Sequence, residues 1–146
     1  MAIRRADFPL PDVDDALTAP FFAAAARHEL VIPRCDACAA YVWYPVERCP
    51  TCDGTPAWTS VSGRGTLFSW AVVRRAFLPA FAEQVPFVTA LIALDEDPHV
   101  RVPSYVVDAD PMVLTADQPV VVDFRELRFP TVPDRSVIVP MFRPAA

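Results

Sequence analysis

Four cysteines in two close pairs constrain the fold of this chain more than any other feature. Cys35 and Cys38 form the first pair, and Cys49 and Cys52 form the second after ten intervening residues. Two thiolates separated by two residues can point at one tetrahedral ion, and two such pairs complete a shell of four. The spacing predicts a zinc ribbon that holds one Zn²⁺ ion, with iron as the rival metal. Because four protein ligands leave no coordination position for water, we expect a structural ion.

Composition favours a β-rich chain that does not cross a membrane. The 146 residues are 53% hydrophobic and include seventeen prolines, which favour extended segments joined by rigid turns. No apolar run approaches the roughly 18 residues of a membrane span, and the N-terminal region lacks a signal-peptide pattern. We expect a cytoplasmic protein, and that setting disfavours disulfides between the four cysteines.

The net charge of −5 argues against nucleic acid as a partner. All thirteen basic residues are arginine, and residues 76–146 contain five arginines against ten acidic residues. An acidic surface binds a phosphate backbone poorly, although zinc ribbons and small barrels otherwise suit that role. The rival interpretation is a binding module that stacks single-stranded bases on aromatic side chains, here Trp43, Tyr44, Trp58 and Trp70.

The N-terminal part of the chain divides into an arm and a metal-binding region. Residues 1–17 are polar and interrupted by prolines, and we interpret them as an arm. Thr18 and Pro20 suit the start of a short helix that ends near His28. Short strands are expected next to the cysteine pairs, at residues 30–34 and 41–44, and residues 57–61 lead out of the ribbon. The helix and the zinc ribbon together make up residues 18–62.

Residues 63–146 predict a small β-barrel. Alternating segments rich in β-branched and aromatic residues indicate five strands, at residues 66–74, 85–94, 100–107, 119–129 and 136–142. A single helical turn is expected at residues 110–114, between the third and fourth of these strands. This order is the layout of an OB-fold, although the pattern alone leaves other small barrels open. The predicted fold class is therefore mainly β: an N-terminal helix and zinc ribbon followed by a five-stranded OB-fold barrel.

The connection between the first two barrel strands is more apolar than an ordinary surface loop. It contains four large apolar side chains, Phe77, Leu78, Phe81 and Phe87. These residues form either a partner interface or a cover over the barrel core, because exposed apolar patches on monomers are normally small. Three arginines are candidates for contact with a phosphate-bearing ligand, with surface salt bridges as the alternative: Arg64, Arg74 and Arg75.

Patterns typical of a self-contained active site are missing from the sequence. The two histidines, His28 and His99, lie at a predicted helix end and in a predicted turn. There is no nucleophile elbow, no phosphate-binding glycine loop and no dinucleotide fingerprint. The acidic run at residues 95–97 is typical of a solvated turn. These observations favour an accessory or binding role over a free-standing enzyme.

Several short motifs resemble the DUF35 family. They are Pro20-Phe21-Phe22, Ile32-Pro33-Arg34-Cys35, Trp43-Tyr44-Pro45 before Cys49-Pro50-x-Cys52, residues 61–66 with Ser69-Trp70, and Arg75-Ala76-Phe77-x-Pro79-x-Phe81. The resemblance extends from about residue 18 to Pro144. It implies a rubredoxin-like zinc ribbon followed by an OB-fold associated with acyl-CoA. The chain departs from the family pattern where it has Arg74, or Arg75 in a shifted register, in place of an expected histidine, and Asp117-Gln118 in place of glycine-methionine.

The resemblance also implies a function and a partner. DUF35 proteins associate with thiolase-fold proteins, as bridges between two enzymes, as supports for acyl transfer, or as subunits of an aldolase. That aldolase pairs the DUF35 chain with a lipid-transfer-like thiolase homologue and cleaves a β-hydroxyacyl-CoA in steroid side-chain degradation. We therefore expect an accessory, non-catalytic or co-catalytic subunit of such a lyase. The alternative is a scaffold or acyl-CoA-binding subunit of a thiolase or acyltransferase complex. If the chain binds acyl-CoA itself, Arg64, Arg74 and Arg75 are the candidates for contact with the phosphates of coenzyme A.

Overall fold

The computed structural model describes residues 5–146, so the first four residues of the predicted arm lie outside the described residues. Its elements are helix α1 (Ala19–Ala26) and strands β1 (Val31–Cys35), β2 (Pro56–Ser60), β3 (Arg64–Val73), β4 (Phe87–Leu94), β5 (Arg101–Val106), β6 (Pro119–Arg128) and β7 (Ser136–Pro144). Strands β1 and β2 form an antiparallel ribbon, and the other five form a closed barrel in the order β3-β4-β5-β7-β6. A 3-10 turn at Pro111–Val113 lies between β5 and β6. The predicted fold class is confirmed.

Helix α1 begins after Thr18, with Pro20 in its first turn, where a missing N–H costs little. It ends where His28 takes a φ of 60°, and it buries Ala24 and Ala25. The Phe21 ring contacts Trp43 of the ribbon at 5.8 Å between ring centroids. The apolar side chains of the helix therefore pack between the ribbon and the barrel. Within the described residues, no helix combines the length and apolarity that a membrane crossing requires.

One of the two strands predicted for the ribbon does not form. In place of a strand at residues 41–44, the structure has one isolated bridge between Arg34 and Tyr41, so that prediction was wrong. The Val42 N–H donates to the Pro33 carbonyl at 2.8 Å. Because Pro33 has no N–H to donate in return, the ladder does not continue. The chain then turns towards the second cysteine pair.

The joint between ribbon and barrel is tightly constrained. The Ser62 N–H and hydroxyl donate to the two carboxylate oxygens of Glu96 at 2.7 and 3.1 Å. Gly63 then turns the chain with a φ of 79°, in the region that favours glycine. A Cβ at Gly63 would lie 2.3 Å from Cγ1 of Val122, whose N–H donates to the Gly63 carbonyl. Only glycine therefore suits this position.

Ribbon and barrel share one hydrophobic core. Leu30 and Ile32, which enter the ribbon, are buried in the same cluster as barrel side chains such as Ile92 and Phe142. Fully burying a side chain of this size contributes roughly 1.5–3 kcal/mol. The shared cluster explains how a two-stranded ribbon is held at a fixed position. The predicted division of the chain after residue 62 stays a prediction.

A second core lies outside the barrel and includes the N-terminal arm. Leu10 is 1% exposed and packs with Phe129, Val132 and Val137 from the segment around the β6–β7 turn. The Arg5 guanidinium donates to the Leu10 carbonyl at 2.6 Å and holds the arm in a compact turn. The arm is therefore a docked element, not a solvated tail, from residue 5 onward.

Candidate metal centre and interaction surfaces

The four cysteine sulfurs lie together between two loops. All four Sγ atoms are within 4.8 Å of one another, with 3.4 Å between Cys35 and Cys52 and 3.7 Å between Cys38 and Cys49. Zn–S bonds of about 2.3 Å in a tetrahedron require sulfur separations of about 3.8 Å. The cluster therefore has the size that a Zn²⁺ ion needs. Four thiolates would complete its coordination, which is the arrangement of a structural site.

Each cysteine pair sits in the same backbone turn. The Ala39 N–H donates to the Cys35 carbonyl at 3.0 Å, and the Asp53 N–H donates to the Cys49 carbonyl at 2.9 Å. Both turn residues take positive φ angles, 64° at Ala39 and 63° at Asp53. Gly54 follows the second turn because a Cβ there would lie 2.8 Å from the Cys35 sulfur. The two turns are thus near copies that aim their thiols at a common centre.

Backbone N–H groups around the cluster favour thiolates. Hydrogen bonds from the backbone of Thr51 and Cys52 lower the pKa of the Cys49 thiol to about 7. The Cys38 N–H donates to the Cys35 sulfur and lowers the pKa of that thiol as well. At Cys52 a hydrogen bond from the Gly54 N–H also lowers the thiol pKa. The neighbouring cysteine side chains together have a larger opposite effect, and the pKa of Cys52 rises to about 12. Four thiolates at this distance repel one another, and a divalent cation would remove that repulsion.

The three candidate phosphate-binding arginines do not form one site. Arg64 is the first residue of β3, whereas Arg74 and Arg75 follow its last residue. A ten-residue strand spans about 30 Å. One phosphate group therefore cannot contact all three side chains. Arg74 donates to the Met112 sulfur at 3.8 Å, and the Arg75 guanidinium lies 5.7 Å from the centre of the Phe77 ring.

The sequence leaves two roles open for the apolar loop, a partner interface and a cover over the barrel core. The structure places different side chains of the loop in each of these two positions. The Phe81 ring packs edge-on against Phe129 at 5.2 Å and stacks with Phe87 at 6.0 Å, so these rings cover the barrel. Leu78 is half-buried. Phe77 instead is 86% exposed. Only Phe77 of the four is therefore fully available to a partner in the isolated chain.

A groove of about 520 Å³ opens where β5 and β7 diverge. These strands pair only between Val106 and Phe142, and the groove beside them is lined mainly by apolar residues, including Phe21, Phe22, Phe87 and Tyr105. Burial in this wall raises the pKa of Tyr105. Sequence reasoning missed Tyr105, because an alternating strand does not show which of its aromatic residues meets a ring from a neighbouring strand, here Phe87.

Both histidines have local packing or turn contacts. The His28 ring stacks on Phe124 at 5.3 Å between ring centroids. The His99 side chain is exposed and hydrogen-bonds to the Asp97 carboxylate at 3.3 Å. Neither histidine is among the residues that line the groove. The structure does not bring them together with each other or with the cysteine cluster.

Two family models match consecutive parts of this chain. Residues 22–59 match the ChsH2 rubredoxin-like zinc ribbon domain, and residues 58–125 match the ChsH2 C-terminal OB-fold domain. A solved structure described as the Ltp2-ChsH2(DUF35) aldolase contains a similar chain, with 31% identity and a TM-score of 0.79. The alignment covers 93% of this chain and 100% of that one. The chain belongs to the ChsH2 family of DUF35 proteins. The resemblance inferred from the short motifs is therefore confirmed.

One further relative and one solved structure with the same fold are also similar to this DUF35 chain. A probable enoyl-CoA hydratase alpha subunit from Thermomonospora curvata is 35% identical over 127 residues, which is 86% of this chain and 36% of that protein. The chain thus spans about a third of the length of that relative. A DUF35 protein of unknown function from Sulfolobus solfataricus has the same fold, with 11% identity and a TM-score of 0.54. That alignment covers 90% of this chain and 87% of the other.

Proposed function

We propose that this chain is the accessory subunit of an acyl-CoA-processing complex formed with a thiolase-fold protein. The observation that carries the proposal is the similarity to a chain of the Ltp2-ChsH2(DUF35) aldolase, because the alignment covers the full length of the aldolase chain. The similarity to a probable enoyl-CoA hydratase subunit supports the same class of substrate. The specific reaction proposed is cleavage of a β-hydroxyacyl-CoA derived from a steroid side chain.

The proposed reaction divides naturally between two subunits. A base removes the proton of the β-hydroxyl group, the bond between the α and β carbons breaks, and a carbonyl product leaves. The electron pair remains on the α carbon as a thioester enolate, which is then protonated to acyl-CoA. That enolate needs oriented hydrogen-bond donors. We assign the base and the donors to the thiolase-fold partner, and support of that subunit to this chain.

In this proposal the zinc ribbon supports the fold and takes no part in the chemistry. Its ion would hold the loops around Cys35 and Cys49, and the ribbon packs on the barrel through Leu30 and Ile32. A fixed ribbon and barrel present one rigid surface to a partner. Arg74 and Arg75 are exposed next to one another and remain our candidates for contact with coenzyme A phosphates.

The first test is purification of the tagged chain from its native cells, with mass spectrometry of bound proteins. We expect stoichiometric recovery of a thiolase-fold protein. The purified pair should then convert a steroid side-chain β-hydroxyacyl-CoA to a shorter acyl-CoA and a carbonyl product. Each subunit alone and a straight-chain β-hydroxyacyl-CoA serve as controls. Recovery of nucleic-acid-processing proteins without a thiolase-fold chain would contradict the proposal.

A second measurement separates a scaffold from an acyl-CoA-binding subunit. Acyl-CoA that binds the folded chain raises its melting temperature in proportion to the logarithm of ligand concentration above the Kd. If saturating acyl-CoA leaves the melting temperature of the free chain unchanged, the scaffold form of the proposal is favoured. In that case the coenzyme A contacts assigned to Arg74 and Arg75 are withdrawn.

A further inference from the structure

The most exposed large apolar side chains of the described residues lie at one end of the barrel. They are Phe77, Met112 and Val113, which are 86%, 78% and 68% exposed. Phe77 comes from the loop after β3, and the other two come from the 3-10 turn between β5 and β6. Most apolar side chains of this size are buried, so three on one surface require an explanation.

Two arginines connect these side chains into one surface. Arg74 donates to the Met112 sulfur at 3.8 Å, and the Arg75 guanidinium lies 5.7 Å from the centre of the Phe77 ring. We call the five residues Phe77, Met112, Val113, Arg74 and Arg75 the Phe77 patch. An exposed aromatic ring beside methionine and arginine is the composition enriched at interface hot spots.

The arginines of the Phe77 patch have no acidic partner in the part of the chain that the structure describes. Seven other arginines form ion pairs: Arg5, Arg27, Arg48, Arg125, Arg128, Arg135 and Arg143. Arg74 and Arg75 instead contact a thioether and an aromatic ring, although the chain carries a net charge of −5. Two uncompensated positive charges around an apolar centre match a surface that carries carboxylates.

We propose that the Phe77 patch is the surface that docks the thiolase-fold partner. The partner would present an apolar pocket for the Phe77 ring, with carboxylates at its rim facing Arg74 and Arg75. The two arginines would then contact these carboxylates in place of coenzyme A phosphates. This inference rests on the proposed function for the existence of that partner. It changes the interface expected from sequence, because Phe81 and Phe87 pack on the barrel while Met112 and Val113 join Phe77.

Two other occupants fit the Phe77 patch less well. A second copy of this chain across a two-fold axis would place like patches together, and the paired arginines would repel one another. An anionic membrane would attract the arginines, but Asp110 caps the turn that carries Met112 and the whole chain is acidic. A protein partner can place carboxylates opposite the two arginines alone, so we favour it.

Matched variants test the inference in the full-length chain. Phe77→Ala removes the proposed anchor, and the double variant Arg74→Glu/Arg75→Glu reverses the charge. The control for the first is Phe68→Ala, because Phe68 is also exposed beneath an arginine, with Arg101 3.8 Å from its ring centre. It lies about 20 Å along β3 from Arg74. The control for the second is Arg64→Glu, at the far end of the same strand.

Each tagged variant is used as bait in the native-cell purification, and the recovered thiolase-fold protein is quantified. We expect full recovery with the wild type and both controls, and loss with both patch variants. The purified partner should bind Phe77→Ala at least about 30-fold more weakly than wild type. Its association rate should fall with added salt for wild type and much less for Arg74→Glu/Arg75→Glu. Unchanged melting temperature and zinc content confirm that the variants fold.

The outcomes separate the inference from the proposed function. If wild type recovers no thiolase-fold protein, the proposed function fails and the inference falls with it. Equal recovery by all five baits overturns the inference and leaves the proposed function standing. Flotation of wild type, but not of Phe77→Ala, with vesicles of about one-third anionic lipid would make the patch a membrane contact. A dimer of the free chain that Phe77→Ala dissociates would make it a self-interface.

Discussion

Substitution of Leu10 by alanine tests whether the N-terminal arm is part of the folded core. Leu10 is 1% exposed and packs in a cluster of five buried residues outside the barrel. The side chain lies in a segment that the sequence predicts to be a polar arm. Because the side chain is buried, removing its three outer carbons leaves a cavity under the arm. If the arm is solvated, the same change costs almost nothing.

The expected magnitude follows from the burial of Leu10. Replacing a fully buried leucine by alanine typically costs about 2–5 kcal/mol, from lost transfer free energy and the residual cavity. The arm can also undock without global unfolding, which would cap the cost at its own docking free energy. We therefore expect a loss of about 2–4 kcal/mol in the free energy of unfolding. For a chain of this length that lowers the melting temperature by roughly 5–15 °C.

Thermal and denaturant unfolding of wild type and Leu10→Ala measure this change. Val13→Ala is the graded control, since Val13 is only partly buried in the same cluster and should cost less. Val113→Ala is the surface control and should stay within about 0.5 kcal/mol. Limited proteolysis of residues 5–17 adds a local readout. A Leu10→Ala protein as stable and as protease-resistant as the surface control would refute the docked arm.

Three further predictions concern the metal centre, the ribbon joint and the groove. Gly54→Ala retains all four cysteines, but the added methyl group crowds the Cys35 sulfur. Metal analysis should therefore find less than the one zinc per chain that is expected for wild type. Equal zinc content in the two proteins would contradict this prediction. Gly63→Ala should lower the free energy of unfolding by about 1–3 kcal/mol in denaturant titration, through its positive φ and its contact with Val122. A wild-type midpoint would contradict that expectation. Because burial raises the Tyr105 pKa, the phenolate absorbance should show a component titrating above the ordinary value of 10, absent from Tyr105→Phe. The contribution of protonated Tyr105 to the free energy of unfolding is fully present below its unfolded-state pKa of about 10. It is lost as the pH rises through the higher pKa of the folded state.

Local patterns in the sequence predict much of the fold. The alternation of apolar residues locates all five barrel strands, and the observed bounds differ by a few residues at the ends. The helical turn after β5 is confirmed at Pro111–Val113. The strand expected at residues 41–44 fails, because its pairing depends on Pro33 in another strand. The hydrogen bonds of a β-ladder depend on two paired segments, whereas the alternation of apolar residues can be read from one segment alone.

The metal centre is the clearest case in which the sequence alone was sufficient. A turn of a few residues holds each cysteine pair, so the spacing from Cys35 to Cys38 and from Cys49 to Cys52 already defines the ligand geometry. The amino acids also determine the excess of acidic charge and the mainly β character of the chain. These properties depend on residues close together in sequence or on composition, and no tertiary contact is needed to infer them.

The interaction surfaces were decided only by the tertiary structure. Phe77 and Phe81 are four residues apart in one apolar loop, yet Phe81 meets Phe129 from a distant strand end while Phe77 stays in solvent. Leu10 is buried in a cluster whose other fully buried members come from much later in the chain, three of them more than a hundred positions away. The physical reason is that burial is set by whatever the folded chain places opposite a side chain. Contacts between residues far apart in sequence carry no local signature.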